Sequence, residues 1–78
     1  MNSKEAQKIV GDLLGELRDR RLEMRLSQRK LASLAGVDPK TIRLLEAKER
    51  NPTLVTLLMI AEELSLDLPE TLATIISA

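Results

Sequence analysis

The chain has 78 residues, 12 basic and 12 acidic side chains, no cysteine and no histidine. A chain of this length predicts one small domain, residues 1–78, with little room for an enzyme cleft. Without cysteine or histidine it lacks disulfides, the usual zinc ligands and the usual general base, so we expect no metal, no cofactor and no enzymatic activity. A polar N-terminus and the lack of a long apolar stretch predict a cytoplasmic protein without membrane association.

The apolar residues favour helices over strands. They make up 44% of the chain, but Phe, Tyr and Trp are absent and leucine, with sixteen residues, is the commonest of them. Leucine is a good helix former, whereas sheets are rich in aromatic and β-branched residues. The composition therefore predicts an all-α fold.

The zero net charge hides an uneven distribution along the chain. Residues 18–50 carry ten basic and five acidic side chains, and residues 51–78 carry four acidic and no basic ones. Such a layout is compatible with one surface that approaches a polyanion and another that avoids it. Basic side chains that only solvate helix surfaces would give the same counts, so charge alone does not decide the function.

The first helix is predicted to begin after Asn2 and to continue to about Met24. Asn2 is a good N-cap, Glu5 follows it three residues later, and apolar residues recur at helical spacing as far as Leu17. Residues 1–11 form an N-terminal extension of this helix.

Two glycines within the first helix favour an interruption. Gly11 and Gly15 should each cost about 0.8–1 kcal/mol relative to alanine in a helix interior. A break with a restart at Asp12 is therefore an alternative to one continuous helix.

Two short helices follow. Ser27 is the expected N-cap of the second helix, and Gly36 ends it. Asp38 is the expected N-cap of the third helix, with Pro39 at its first position, where the missing N–H does no harm. The apolar stripe of the second helix consists of Leu31, Ala32, Leu34 and Ala35.

Two further helices complete the chain after a polar loop at residues 48–52. Thr53 is the expected N-cap of the fourth helix, and Asp67 with Glu70 forms a capping box for the fifth. The predicted buried side of the fourth helix consists of Leu54, Leu57, Leu58, Ile60, Ala61 and Leu64. The apolar residues of the fifth helix are Leu68, Leu72, Ile75 and Ile76.

The second and third helices have the spacing of two short helices that cross steeply at a tight turn. In such a unit a small residue, here Ala32, lies where the helices touch, and a glycine, here Gly36, makes the turn. Ile42 and Leu45 then pack the second helix of the pair against the first. With Gln28 at the start, this order resembles the phage repressor and Cro type of helix-turn-helix domain, also called the xenobiotic-response-element type.

The resemblance runs from Leu14 to Leu72 and implies a compact five-helix, lambda-repressor-like domain with the motif at about residues 28–47, in helices 2 and 3. It also implies a transcriptional regulator that binds double-stranded DNA as a homodimer on a palindromic operator. Repressors, antitoxins and restriction-modification controllers all use such minimal domains. Further matching positions are Leu17, Arg18, Arg21, Leu26, Ser27, Leu31, Glu46, Asn51, Pro52, Leu57 and residues 61–64.

The resemblance assigns DNA contacts to the outward face of the third helix. Arg43 is the expected base contact, because a guanidinium matches the two acceptors of guanine in the major groove, and Leu44 would touch a thymine methyl. Lys40 and Thr41 are expected on phosphates. Pro39 lies at a position that often reads a base, but it cannot donate a hydrogen bond from its side chain.

The remaining positions carried over from the family flank that helix. Gln28 is expected to bind a phosphate and to support the recognition helix. Arg50 and Asn51 are expected to contact the DNA backbone. Arg29 is a further DNA-binding candidate because of its charge in the basic middle segment.

Two residues are assigned to the scaffold by the resemblance. Arg21 and Glu46 are expected to form a partly buried ion pair that ties the first helix to the end of the third. Arg25 and Lys48 stand where the family often has a glycine after a helix. Each is therefore expected to adopt a left-handed backbone, at a cost of about 1 kcal/mol, unless the helix ends differently.

A protein-interaction module on the same fold, without DNA binding and with a partner such as a toxin, is the alternative. The neutral net charge and the missing aromatic residues allow it. DNA binding is favoured if five basic residues share one face: Arg29, Lys40, Arg43, Lys48 and Arg50.

A homodimer is expected from apolar residues at the end of the chain, where no further residues cover them. The candidates for this interface are Leu72, Ile75 and Ile76.

Overall fold

The computed structural model describes all 78 residues and contains five α-helices and no strand. The predicted all-α fold with five helices is confirmed. None of the helices is long and apolar enough to cross a lipid bilayer. The helices are α1 (Ser3–Glu23), α2 (Gln28–Ala35), α3 (Pro39–Glu46), α4 (Leu54–Glu63) and α5 (Leu68–Ser77).

All five helices begin at the predicted N-caps. In each case a side-chain oxygen of the cap residue accepts a hydrogen bond from a backbone N–H two or three residues later. These bonds satisfy donors that the first helical turn leaves without partners. The cap residues are Asn2, Ser27, Asp38, Thr53 and Asp67.

Four helices end at a residue in the left-handed conformation, and only one of these residues is a glycine. Gly36 has φ of 75°, whereas the expected Arg25 and Lys48 have φ of 57° and 60°, and Ser65, which was not anticipated, has φ of 50°. In all four cases the next residue donates its N–H to the carbonyl five positions earlier. This bond is typical of the Schellman motif, so the chain uses that motif without glycine at three helix ends.

The first helix is continuous from Ser3 to Glu23, as predicted, and the alternative of a break with a restart at Asp12 is wrong. Leu13, Leu14 and Leu17 lie on both sides of Gly15 and are buried in the core, so their packing outweighs the low helix propensity of the glycines.

Thirteen buried apolar residues form a single core to which all five helices contribute. The Nε of Arg20 in α1 also donates a 2.9 Å hydrogen bond to the carbonyl of Leu64, which caps the end of α4. The core residues are Leu13, Leu14, Leu17, Leu31, Ala32, Ala35, Ile42, Leu45, Leu57, Ile60, Ala61, Leu64 and Leu68.

The predicted burial of Leu54 and Leu58 on α4 is wrong, because they are 65% and 53% exposed. The side of α4 that packs on α2 carries Leu57, Ile60 and Ala61. Leu58 lies about 100° around the helix from Leu57, and Leu54 lies in the first turn, where α4 emerges from the loop. Apolar composition on both sides of α4 made the buried side ambiguous.

The C-terminal helix packs against α1. Leu72 and Ile75 are therefore partly buried against the core of their own chain, and only Ile76, at 56% exposure, is open. The premise that no part of the chain covers these residues is wrong for Leu72 and Ile75.

Two glycine substitutions should change stability in opposite directions. Gly15→Ala should raise the free energy of unfolding by about 0.5–1 kcal/mol, because a methyl group there meets no atom within 4 Å and α1 gains helix propensity. Gly36→Ala should lower it by about 1 kcal/mol or more, because φ is 75° there. Urea denaturation of both variants checks this, and a destabilised Gly15→Ala would contradict the account of α1.

Candidate nucleic-acid interface

The α2–α3 corner has the geometry that the motif requires. Three residues, Gly36 to Asp38, separate the two helices, and Gly36 provides the left-handed turn. Ala32 is completely buried where the helices touch, and Ile42 and Leu45 are buried beneath α3. The structure thus places Ala32, Ile42 and Leu45 in the core and Gly36 at the exposed turn.

The outward face of α3 is free of intramolecular partners. Pro39, Lys40 and Arg43 are exposed, while Thr41 and Leu44 are partly buried. No hydrogen bond or ion pair within the chain engages the side chains of Lys40 or Arg43. The positive end groups of these two residues are therefore available to an external acceptor.

The carboxylate of Glu46, at the last residue of α3, connects three parts of the fold. Arg21 of α1 donates to it through Nε and Nη2, both at 2.7 Å, and the two side chains form an ion pair. The Nη1 of Arg21 donates to the carbonyl of Leu26, also at 2.7 Å. Gln28, the first residue of α2, donates from Nε2 to Glu46 at 3.0 Å. The position of α3 relative to α1 and α2 is thus fixed at one side chain.

The ionisation of this cluster is shifted in favour of the charged forms. Burial alone raises the pKa of Glu46, but hydrogen bonds from Arg21 and Gln28 and the nearby charges of Arg21 and Arg18 bring it below its ordinary value. The hydrogen bond to Glu46 raises the pKa of Arg21, against the opposing effect of burial. Both groups therefore remain charged at neutral pH.

Arg18 is a candidate that the sequence analysis left unassigned. Its Nε lies 3.9 Å from Glu46 Oε1, its side chain is 54% exposed, and no hydrogen bond uses its donors. A sequence signal existed, because Arg18 and Arg21 are three residues apart and so share one side of α1. Arg18 thus places an accessible positive charge beside the Glu46 carboxylate that Gln28 also contacts.

The basic residues do not all point in one direction. Arg29, Lys40, Arg43 and Arg50 are exposed. Lys48 is also exposed, but its side chain lies along α1, where a methyl group on Gly11 would come within 3.8 Å of its Cδ, and it shares a depression against α1 with Arg50. Lys48 also borders a depression that contains three acidic residues of α1, Asp12, Glu16 and Asp19. Lys48 therefore faces α1, which differs from the expected common face.

The loop after α3 also lies against α1. Arg50 and Asn51 line a shallow depression together with Gln7 and Val10. Both loop residues are exposed, so they are accessible for the expected contacts with the DNA backbone.

The stability losses from replacing Arg21 and Glu46 one at a time should not be additive. Arg21→Met and Glu46→Gln should each lower the free energy of unfolding, Arg21→Met by about 3 kcal/mol because it leaves a buried carboxylate without its main counter-charge. The double variant should lose less than the sum of the two. Urea denaturation measures the free energy of unfolding of all three variants, in a sulfate buffer that stabilises the folded state so that each variant is folded at the start. Purely additive losses would contradict an interaction between Arg21 and Glu46.

Acid should destabilise the fold through Glu46. Because its pKa is lower in the folded chain, the unfolded chain binds a proton first, so this contribution is present at neutral pH and is lost as pH falls through the lowered pKa. Glu46→Gln should lose this part of the pH dependence. Glu49→Gln, which changes an exposed residue outside any ion pair, is the matched control. If the free energy of unfolding of Glu46→Gln falls with acid as steeply as that of the wild type, the pKa of Glu46 is not lowered in the folded chain.

Comparison with known proteins agrees with this geometry. Residues 17–70, more than half of the chain, match the model of a helix-turn-helix family, HTH_3. No significant match was found among curated proteins or among solved structures. The matched range contains the α2–α3 corner, the Arg21–Glu46 pair and the outward face of α3. The chain belongs to the xenobiotic-response-element type of helix-turn-helix family, whose members are DNA-binding regulatory domains.

Proposed function

We propose that the protein binds double-stranded DNA sequence-specifically as a homodimeric transcriptional regulator of the repressor, antitoxin or controller type, acting in the cytoplasm. The observation that carries this proposal is the outward face of α3, where Lys40 and Arg43 are exposed and have no partner in the chain. The cluster around Glu46 holds that face in a fixed orientation. A rigid helix with free basic side chains is suited to the major groove.

Base recognition is assigned to the middle of α3. Arg43 would donate both arms of its guanidinium to O6 and N7 of a guanine, which distinguishes that base pair by about 1–3 kcal/mol. Leu44, which is partly buried, would touch a thymine methyl group with its remaining surface. Pro39 cannot hydrogen-bond to a base through its side chain, so specificity depends on few residues.

Phosphate contacts are assigned to residues around α3. Such contacts fix the register of the protein on the duplex without reading the sequence. The acidic segment 51–78 contributes no cation. The proposed phosphate ligands are Gln28, Arg29, Lys40, Thr41, Arg50 and Asn51, to which the geometry of the Glu46 cluster adds Arg18.

A homodimer would match a palindromic operator. Two copies related by a two-fold axis should place their α3 helices about 34 Å apart, which is one turn of B-DNA. Each copy would then read one half-site.

The alternative is a protein-interaction module, with a partner such as a toxin, on the same fold. The observation in its favour is the exposed apolar surface of α4, together with zero net charge. The two functions differ in their response to salt, because DNA binding releases counterions and weakens steeply as salt rises.

Binding selection on random duplexes at two salt concentrations tests the proposal. The protein should enrich a palindrome. Arg43→Ala should relax the preference at one base pair of each half-site and cost about 1–3 kcal/mol on the preferred duplex. Lys40→Ala should weaken binding to all duplexes alike and reduce the salt slope by about 0.9 per lost phosphate contact.

The matched control is Lys8→Ala, because Lys8 is exposed on α1 and paired with Asp12. It should leave both sequence preference and salt slope nearly unchanged. If Arg43→Ala and Lys40→Ala behave like this control, α3 is not the recognition helix.

A further inference from the structure

The outer side of α4 carries an uncharged stripe of large apolar side chains, Leu54, Val55, Leu58 and Met59. Leu54 and Val55 are 65% and 67% exposed, and Leu58 is 53% exposed. A methyl group on Gly36 would lie 3.8 Å from Met59 Cε, so Met59 extends the stripe toward the α2–α3 turn. We call these four residues the α4 stripe.

The α4 stripe is unusual for this chain. Of all residues 31% are charged, but no ionisable side chain occurs from 54 to 61. Scattered exposed leucines need no explanation, whereas adjacent apolar residues on one helix face indicate a surface that is covered in the working protein.

Charge excludes two kinds of occupant. The stripe has no cation to contact a phosphate, so it is not a further DNA surface. Its C-terminal end is followed by Glu62 and Glu63, and no basic residue occurs after Arg50, so an anionic membrane surface would repel it.

We propose that the α4 stripe is the surface through which two copies of this chain associate. A two-fold axis that lies in the interface and crosses α4 at a right angle makes the two α4 helices antiparallel. Only residues at the centre of the stripe then lie close to their own equivalents, so an uncharged centre avoids like-charge contacts. The acidic end of α4, at Glu62, lies toward the loop that precedes α4 in the other copy, where Arg50 is exposed, so the two ends of the interface are complementary in charge.

The α4 stripe offers more apolar surface than the C-terminal helix does. Leu72 and Ile75 are partly buried within their own chain, which leaves Ile76 as the exposed large residue of α5. The α4 stripe has four such residues in two helical turns. This inference rests on the proposed function in one respect: a palindromic site needs two recognition helices.

Sedimentation of the full chain without DNA, over micromolar to high micromolar concentration, tests the interface. The wild type should be in monomer–dimer equilibrium. Leu58→Glu should raise the dimer dissociation constant at least roughly 30-fold, as expected for a residue at the centre of an interface. Val55→Glu is a second variant with the same expected result, in case Leu58→Glu folds poorly.

Two control variants separate the α4 stripe from other exposed apolar residues. Leu22→Glu alters α1 at a side chain of similar exposure, 48%. Ile76→Glu tests the C-terminal helix. Each should change the dissociation constant less than about threefold.

The proposal is overturned if the wild type stays monomeric at all concentrations, or if well-folded Leu58→Glu and Val55→Glu remain as dimeric as the wild type. It is also overturned if Ile76→Glu or Leu22→Glu dissociates the dimer as strongly as Leu58→Glu. A separate measurement of DNA binding distinguishes a failure of the α4 interface from a failure of the proposed function. A dimer that dissociates as predicted but binds no DNA would refute the proposed DNA binding and leave the interface intact. Salt-sensitive DNA binding by a strictly monomeric chain would refute the interface and the homodimer and leave DNA binding intact.

Discussion

The carboxylate of Glu46 is the interaction on which the orientation of α3 depends. It accepts two hydrogen bonds from Arg21 and one from Gln28, and it lies at the end of the helix that presents Lys40 and Arg43. A small domain without aromatic residues has few large contacts to fix a short helix. A buried, directional ion pair supplies that constraint, because a displaced α3 would leave both charges without a partner.

The sequence predicted those parts of the fold that local chemistry determines. Cap residues such as Ser27 and Asp38 mark helix starts because their side chains bond to nearby backbone groups, and this requires no knowledge of the rest of the chain. The left-handed backbone at Arg25 was expected from the family resemblance, because Arg25 stands where the family often has a glycine. The ion pair between Arg21 and Glu46 came from the family resemblance, because no local rule links residues 25 positions apart.

The features that the sequence did not predict depend on tertiary packing. Leu54 and Leu58 are as apolar as Leu57, so only the direction from which α2 approaches decides which of them is buried. Gly15 is compatible with a continuous helix only because leucines on both sides of it are held in the core. Lys48 faces α1 because its left-handed backbone turns the chain there, and charge counting along the sequence contains no such direction.

The three helix ends without glycine have a consequence for how this domain can change over generations. Arg25, Lys48 and Ser65 each hold a strained backbone at a cost of about 1 kcal/mol, and a glycine at any of them would remove that strain. All three lie outside α3, so such replacements leave its outward face unaltered. Glycine substitutions at these positions would therefore add stability that could compensate for destabilising substitutions on α3 that change the DNA preference.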